Sequence, residues 1–167
     1  MKFHKVSFEQ FLTDSIKAGF VNEDIDEELI KLAWERIKLP TRATQGSAGY
    51  DFYLPFSFSL HPMRNLTIPT GIRAEIDRGW FLMLIPRSGL GTKYGMRLVN
   101  TLGLIDSDYF LAKNEGHILA GINVSTNMCL QEGDRFAQGV FMPYGITEDD
   151  CPLSQLREGG FGSTGVS

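Results

Sequence analysis

The sequence lacks the features that mark several large classes of protein. Only two of its 167 residues are cysteines, Cys129 and Cys151, which is too few for a disulfide framework and fits a reducing compartment. No apolar run approaches the roughly 18 residues of a membrane-spanning helix. The first residues also lack the apolar core of a secretory signal. We therefore expect a cytoplasmic protein with no membrane partner.

Basic residues and metal-ligand patterns are scarce as well. Sixteen Lys and Arg stand against 20 Asp and Glu, so the formal net charge is −4 and no stable nucleic-acid binding is expected. The three histidines are scattered, which argues against a zinc site. Gly160, Gly162 and Gly165 match a dinucleotide-binding pattern, but at the extreme C-terminus no helix can follow them.

What is present fits one globular domain built mainly of strands. Hydrophobic residues make up 43% and charged residues 22%. Apolar residues alternate with polar ones over 52–60, with an edge or bulge at Pro55, and again over 72–76. The continuous apolar run 80–85 predicts a strand buried on both faces. Further strands are predicted near Leu98 and over 118–124 and 136–142, which together indicate an all-β barrel or sandwich.

Residues before 39 have a helical period instead. Ser7 and Gln10 have the spacing of a capping box, and Gly19 supplies a stop. A second helix is predicted to open at 22–24 and to end before Pro40. These amphipathic helices form either a partner-binding hairpin or a layer packed on the domain, and we favour packing because it is the commoner arrangement.

Five short segments combine glycine with charged or aromatic residues. In chain order they are Gly-Ser-Ala-Gly-Tyr-Asp at 46–51, Pro-Arg-Ser-Gly-Leu-Gly at 86–91, Gly-Leu-Ile-Asp-Ser-Asp-Tyr at 103–109, Gly-Asp-Arg-Phe-Ala-Gln at 133–138 and Arg-Glu-Gly-Gly-Phe-Gly-Ser-Thr-Gly at 157–165. Each alone is explained by a turn, a strand end or a tail. Together, in this order, they resemble the five motifs of the homotrimeric dUTPase family over about residues 39–165.

The resemblance implies an architecture and a reaction. It divides the chain into a helical extension (1–38), a dUTPase-like jelly-roll or β-barrel domain (39–156) and a flexible C-terminal arm (157–167) that closes over the active site. It implies hydrolysis of dUTP to dUMP and pyrophosphate, with water attacking the α-phosphorus. Mg²⁺ would be held through the substrate phosphates without direct protein ligands. The active sites would be shared within a homotrimer.

The resemblance also assigns roles to individual residues. Asp106 matches the carboxylate that activates water, and Asp51 a residue that supports the phosphate site. Tyr109 matches the aromatic ring beneath the deoxyribose, which excludes a ribose 2′-hydroxyl sterically. The other matched residues contact substrate: Arg87, Ser88, Gly89 and Gln138 at the phosphates, Asn100 and Gly103 at uracil, and Arg157, Phe161, Gly162, Ser163 and Thr164 in the arm.

Asp108 has a separate role, and the sequence departs from the family pattern at two places. Asp108 would share a strand face with Asp106 if the segment stayed extended, and we assign it a structural role. Residues 110–115 are an insertion relative to the family pattern and border the expected sugar pocket. The arm has one residue fewer between Arg157 and Phe161 than the commonest spacing.

Two other functions compete with the dUTPase interpretation. A dCTP deaminase on the related fold needs a glutamate in the strand after Tyr109, but residues 118–124 contain none. A regulatory binding protein on the same fold would act through the insertion or the helices. The presence of Asp106, Tyr109 and Phe161 favours retained catalysis, although both roles can coexist.

Overall fold

The computed structural model describes residues 1–21 and 27–152, whose regular secondary structure is mostly β-strand. The strands are β1 (Lys2–Lys5), β2 (Thr41–Arg42), β3 (Tyr50–Tyr53), β4 (Phe58–Leu60), β5 (Leu66–Pro69), β6 (Ile72–Glu75), β7 (Trp80–Pro86), β8 (Arg97–Leu98), β9 (Gly103–Ile105), β10 (Leu119–Asn123), β11 (Met128–Leu130) and β12 (Arg135–Pro143). The helices are α1 (Phe8–Lys17), α2 (Glu27–Arg36), α3 (Ser88–Tyr94) and a 3-10 helix (Ser107–Leu111). The all-β prediction is confirmed. Within these described ranges no helix has the length and apolarity to cross a membrane.

The largest sheet is antiparallel and has the order β2-β3-β12-β7-β9. In the smaller sheets β10 pairs with β5 and with β8, β4 pairs with β11, and β1 pairs with β6. The inner faces of the sheets share one hydrophobic cluster. In β7 only alternate residues are buried: Leu82 and Leu84 face the cluster, whereas Phe81, Met83 and Ile85 stay half exposed. The prediction of burial on both faces is therefore wrong for the single chain.

The predicted strand over 52–60 is divided in two. β3 belongs to the five-stranded sheet, whereas β4 pairs with β11. Pro55, at the break, has no N–H to donate to a ladder, so the chain leaves one sheet there and enters the other. The strands predicted at 72–76, near Leu98, at 118–124 and at 136–142 are confirmed as β6, β8, β10 and β12. β2, β5 and β11 were not predicted, and each has only two to four residues.

The N-terminal segment pairs with a strand of the β domain and packs into its hydrophobic core. Residues 2–5, for which no element was predicted, form β1 and pair with β6, with His4 opposite Arg73. Phe11 of α1 and Ile30 of α2 are 0% and 2% exposed and lie in the same hydrophobic cluster as the strands. The helices are therefore packed on the domain, as favoured above. The predicted opening of the second helix at 22–24 lies outside the described residues.

The start of α1 is capped from two directions. Ser7 Oγ accepts a hydrogen bond from Gln10 N at 3.1 Å, which confirms the predicted cap. Gln10 does not complete the capping box, because its Nε2 donates to Asp14 Oδ2 instead. Ser7 N and Oγ donate to the Glu115 carboxylate at 2.8 and 2.6 Å. A residue of the 110–115 insertion thereby takes the place of the missing capping partner.

Hydrogen bonds lower the pKa of both Asp14 and Glu115. Burial alone would raise the pKa of Asp14, but hydrogen bonds from the His117 ring and the Gln10 amide outweigh it, so the pKa lies below its usual value. Burial also opposes ionisation of Glu115, and the Ser7 hydroxyl and N–H, helped by the Arg73 charge, lower its pKa overall.

Acid should destabilise the native chain more than a chain without these two carboxylates. A carboxyl whose pKa is lower in the folded than in the unfolded chain stabilises the fold at neutral pH. This contribution begins to fall near the unfolded pKa of about 4 and is lost as pH falls through the lower folded pKa. We expect the Tm difference between the native chain and Asp14→Asn/Glu115→Gln to shrink between about pH 7 and about pH 3.5. Circular dichroism melts measure it, and a difference independent of pH would contradict the assignment.

Candidate active site

A buried carboxylate holds two arginines at one end of the five-stranded sheet. Asp51 of β3 is 6% exposed. Its Oδ1 lies 3.3 Å from Arg87 Nε, and its Oδ2 accepts a hydrogen bond from Arg135 Nη1 at 3.0 Å. Each guanidinium carries five N–H donors, so both retain donors for an anion while Asp51 fixes their orientation. Arg135 was not among the predicted site residues; its position in the segment 133–138 was the available signal.

Gln138 lies beside this carboxylate. On β12 it pairs with Asp51 of β3 on one side and Ile85 of β7 on the other. Its carboxamide occupies the space next to Gly49, where a Cβ atom would overlap Gln138 Oε1. The glycine in the segment 46–51 therefore leaves room for the Gln138 side chain.

The predicted phosphate-binding turn at 87–89 is the start of a short helix. Arg87 precedes α3 and its N–H donates to Phe136 O at 3.2 Å, which ties the turn to β12. Ser88 and Gly89 occupy the first turn, where backbone N–H groups have no acceptor within a helix. Such N–H groups can donate to phosphate oxygens. The structure thus brings the supporting residue Asp51 together with the four residues predicted at the phosphates: Arg87, Ser88, Gly89 and Gln138.

A tight hairpin carries the two residues predicted at the base. Asn100 lies between β8 and β9, and its carbonyl accepts from Leu102 N at 2.8 Å across Thr101, whose φ is +72°. Gly103 opens β9 opposite Leu84, and a Cβ there would come within 3.1 Å of Leu84 Cβ. Beside the turn is a cavity of about 220 Å³ lined by Asn65, Thr67, Val99, Asn100 and Gly121.

Asp106 and Tyr109 follow the hairpin but not on a strand. β9 ends at Ile105, and Asp106 directly precedes the 3-10 helix, with Tyr109 N donating to Asp106 O at 3.2 Å. The expectation that Asp106 and Asp108 share a strand face is therefore wrong, because the backbone turns instead of staying extended. Tyr109 is 6% exposed; its hydroxyl donates to His117 O at 2.8 Å.

Strand register keeps Asp106 away from the phosphate residues of its own chain. Ile105, next to Asp106, pairs with Leu82 of β7. Arg87 is five residues after Leu82 and directly follows the end of β7. At about 3.3 Å per extended residue this separation is about 16 Å. The two groups therefore lie near opposite ends of β7.

The C-terminal arm and direct metal ligands are the remaining points of the sequence analysis. The arm residues Arg157, Phe161, Gly162, Ser163 and Thr164 lie outside the described residues. Within the ranges 1–21 and 27–152, no three His, Cys, Asp or Glu side chains come together as a metal site.

A family model, two relatives and a solved structure all indicate the same family. A model of the dUTPase family matches residues 35–165. A deoxyuridine 5′-triphosphate nucleotidohydrolase from Lactococcus lactis subsp. lactis is 38% identical over 134 residues, which are 78% of this chain and 89% of the relative. One from Tolumonas auensis is 42% identical over 137 residues, covering 76% and 87%. The crystal structure of dUTPase from Streptococcus mutans superposes with a TM-score of 0.63 at 30% identity, covering 89% of this chain and 99% of that one.

The contact between Gly49 and Gln138 yields a test with a matched control. Gly49→Ala should displace the flexible end of the Gln138 side chain and weaken nucleotide binding with little loss of stability. Gly46→Ala is the control, because a Cβ at 46 meets no atom within 4 Å. Isothermal titration calorimetry with a non-hydrolysable nucleoside triphosphate compares the two. Equal affinities would show that Gln138 does not contribute to binding.

Proposed function

The chain belongs to the dUTPase family, and from this premise we propose how its residues hydrolyse dUTP to dUMP and pyrophosphate. The observation that carries the proposal is the buried Asp51 carboxylate with Arg87 and Arg135 on its two oxygens. Arg87 and Arg135 face the triphosphate together with Gln138 and the first N–H groups of α3. These fixed donors stabilise the charge that builds on the phosphate oxygens as water attacks the α-phosphorus.

Asp106 and Tyr109 act at the α-phosphate and at the sugar, respectively. Asp106 orients the attacking water and accepts its proton, a role that depends on position because a carboxylate is a weak base. Tyr109 lies beneath the deoxyribose, where its ring leaves no space for a 2′-hydroxyl. Asn100 and the Gly103 backbone read the uracil edge, and an unpaired buried polar group disfavours cytosine by about 1–3 kcal/mol.

Each active site is assembled from different subunits of a homotrimer. The separation of about 16 Å between the Arg87 and Asp106 regions along β7 is too large for both to act on one α-phosphate. A second subunit therefore supplies the Asp106 hairpin to the phosphate residues of the first. The arm of a third, with Phe161 over the base, completes the site.

The outer face of the five-stranded sheet supports this assembly. Met83 of β7 lies between Leu104 of β9 and Val140 of β12, and Phe81 pairs with Met142. Leu104 is 53% and Met142 37% exposed in the single chain. A contiguous apolar strip of this kind marks a protein–protein contact. Association around a threefold axis would cover it with the same strip of neighbouring subunits.

Mg²⁺ enters with the substrate. The phosphate cluster offers guanidinium, amide and backbone N–H donors, which suit phosphate oxygens rather than a cation. A magnesium ion held by the triphosphate itself is compatible with this donor set, because Mg²⁺ prefers phosphate and water oxygens. When bound, it neutralises part of the phosphate charge.

Deamination of dCTP is disfavoured by β10. That reaction needs an acidic side chain close to the base to move protons, and Leu119–Asn123 contains none. Magnesium-dependent assays that measure pyrophosphate and ammonia separately, with each deoxynucleoside triphosphate, distinguish the reactions. Pyrophosphate from dUTP alone supports the proposal, and ammonia from dCTP would contradict it.

Asp106→Asn tests the proton acceptor. The amide retains the shape of the side chain but accepts no proton, so we expect kcat to fall by roughly 10²–10⁴-fold with a much smaller change in nucleotide affinity. Asp108→Asn is the matched control, since it also replaces one carboxylate by an amide, two residues away, and should leave kcat within about twofold. Near-normal turnover by Asp106→Asn would remove Asp106 from the mechanism.

Shared sites are tested by mixing two inactive chains, Arg87→Ala and Asp106→Asn. Each variant alone should be almost inactive. After unfolding and refolding in equal amounts, a functional site needs Arg87 from one chain and Asp106 from a different one, so about a quarter of sites should be active. The control is the same mixture without unfolding. No recovery in the refolded mixture would show that each site is built from one chain.

A further inference from the structure

We propose that the N-terminal residues 4–14 position Tyr109 and thereby set the discrimination between deoxyribose and ribose triphosphates. The inference rests on the proposed function, in which Tyr109 lies beneath the deoxyribose. Residues 4–14 precede the region 35–165 that matches the family, so the family match gives them no role. The connection between this segment and Tyr109 consists of three contacts to the segment 110–117.

The first contact is a buried histidine held by α1. His117 is 0% exposed, and its Nε2 accepts a hydrogen bond from Gly71 N at 2.8 Å. Because an N–H group only donates, Nε2 carries no hydrogen and the ring proton is on Nδ1. Nδ1 donates it to Asp14 Oδ2 at 2.7 Å. Asp14 thus fixes both the orientation and the tautomer of the imidazole.

The same histidine holds the tyrosine through its backbone. His117 O accepts from the Tyr109 hydroxyl at 2.8 Å, and Asn114 Nδ2 donates to that hydroxyl at 2.8 Å. The hydroxyl is therefore engaged both as donor and as acceptor, which opposes rotation or displacement of the ring. Gly116, at φ +70°, lets the backbone pass close to Tyr109 O, where a Cβ would collide.

The second and third contacts fix the insertion between Tyr109 and His117. Phe110 contacts both His4 of β1 and Arg73 of β6. The centres of the His4 and Phe110 rings are 5.6 Å apart, and the Arg73 guanidinium lies 3.7 Å from the centre of the Phe110 ring. Arg73 Nη2 also donates to Phe110 O at 2.6 Å. At the other end, Glu115 accepts from Ser7 N and Oγ. The inserted segment is thus bound to residues 4–14 at both ends.

Exclusion of ribose by the Tyr109 ring requires that the ring be held rigidly. Exclusion of a 2′-hydroxyl requires that the ring does not move away when ribose enters, so selectivity depends on the groups that hold the ring. An insertion without these contacts would have the conformational freedom of a surface loop. Asp14, His117 and Glu115 are therefore positioning residues, which act on substrate only through Tyr109.

The test compares kcat/KM for dUTP with that for UTP in a series of variants assayed well below their Tm. Asp14→Ala should raise KM for dUTP and reduce the dUTP/UTP ratio about tenfold, in the direction of Tyr109→Ala. Asp14→Asn should restore the ratio, because Gln10 and His117 both donate to one oxygen of Asp14 and an amide oxygen can accept both bonds. Ile30→Ala is the control: it creates a buried cavity in α2, without the contacts described above, and should lower Tm but leave the ratio unchanged.

Glu115→Ala provides a second route if Asp14→Ala does not fold, since this residue is partly exposed and should shift the ratio in the same direction. An unchanged ratio in the folded variants, with a reduced ratio in Tyr109→Ala, would overturn the inference and leave the proposed function intact. A reduced ratio in Ile30→Ala would also overturn it, because general destabilisation would then be the cause. Failure of the native chain to release pyrophosphate from dUTP would overturn the proposed function and the inference with it.

Discussion

The extended conformation of β7 is the constraint on which the arrangement of the site depends. The strand pairs with β12 along its whole length and with β9 at Leu82–Leu84, so its neighbours cannot slide without moving every inward side chain to the wrong face. The residues proposed to bind phosphate lie where β7 ends, and the hairpin that leads to Asp106 pairs nearer the start of β7. In the proposed mechanism this strand separates the two sets of groups within one chain, so the reaction would require more than one subunit.

The proposed phosphate site of this sheet contains a buried carboxylate, Asp51. Removing a carboxylate from water is costly unless it is paired, and Asp51 meets that requirement with two arginines. The two cations exceed the one anion, so the cluster keeps a net positive charge in a chain whose formal net charge is −4. In the proposed mechanism this local excess, rather than the overall charge, attracts the triphosphate.

Sequence patterns predicted the parts of the fold that depend on local periodicity. The cap at Ser7, the stop at Gly19 and the strands β6, β10 and β12 follow from residues a few positions apart, and the structure confirms them. Motif resemblance grouped Asp51 with Arg87 and Gln138, and the structure brings these residues together. The division of strand 52–60 and the 3-10 turn after Asp106 were not predicted, because each depends on which distant strand the backbone meets.

Contacts over long sequence separations explain what the motifs could not reveal. Gln10 has the right spacing to complete a capping box, yet the residue that accepts from Ser7 N is Glu115, 108 positions later in the sequence. His117 and Asp14 are 103 residues apart, and neither belongs to a motif. Local patterns report the reacting groups, because chemistry needs particular residues at particular spacings. The groups that hold Tyr109 still need only satisfied hydrogen bonds, which any suitably placed part of the chain can supply, so they become visible only once the chain is folded.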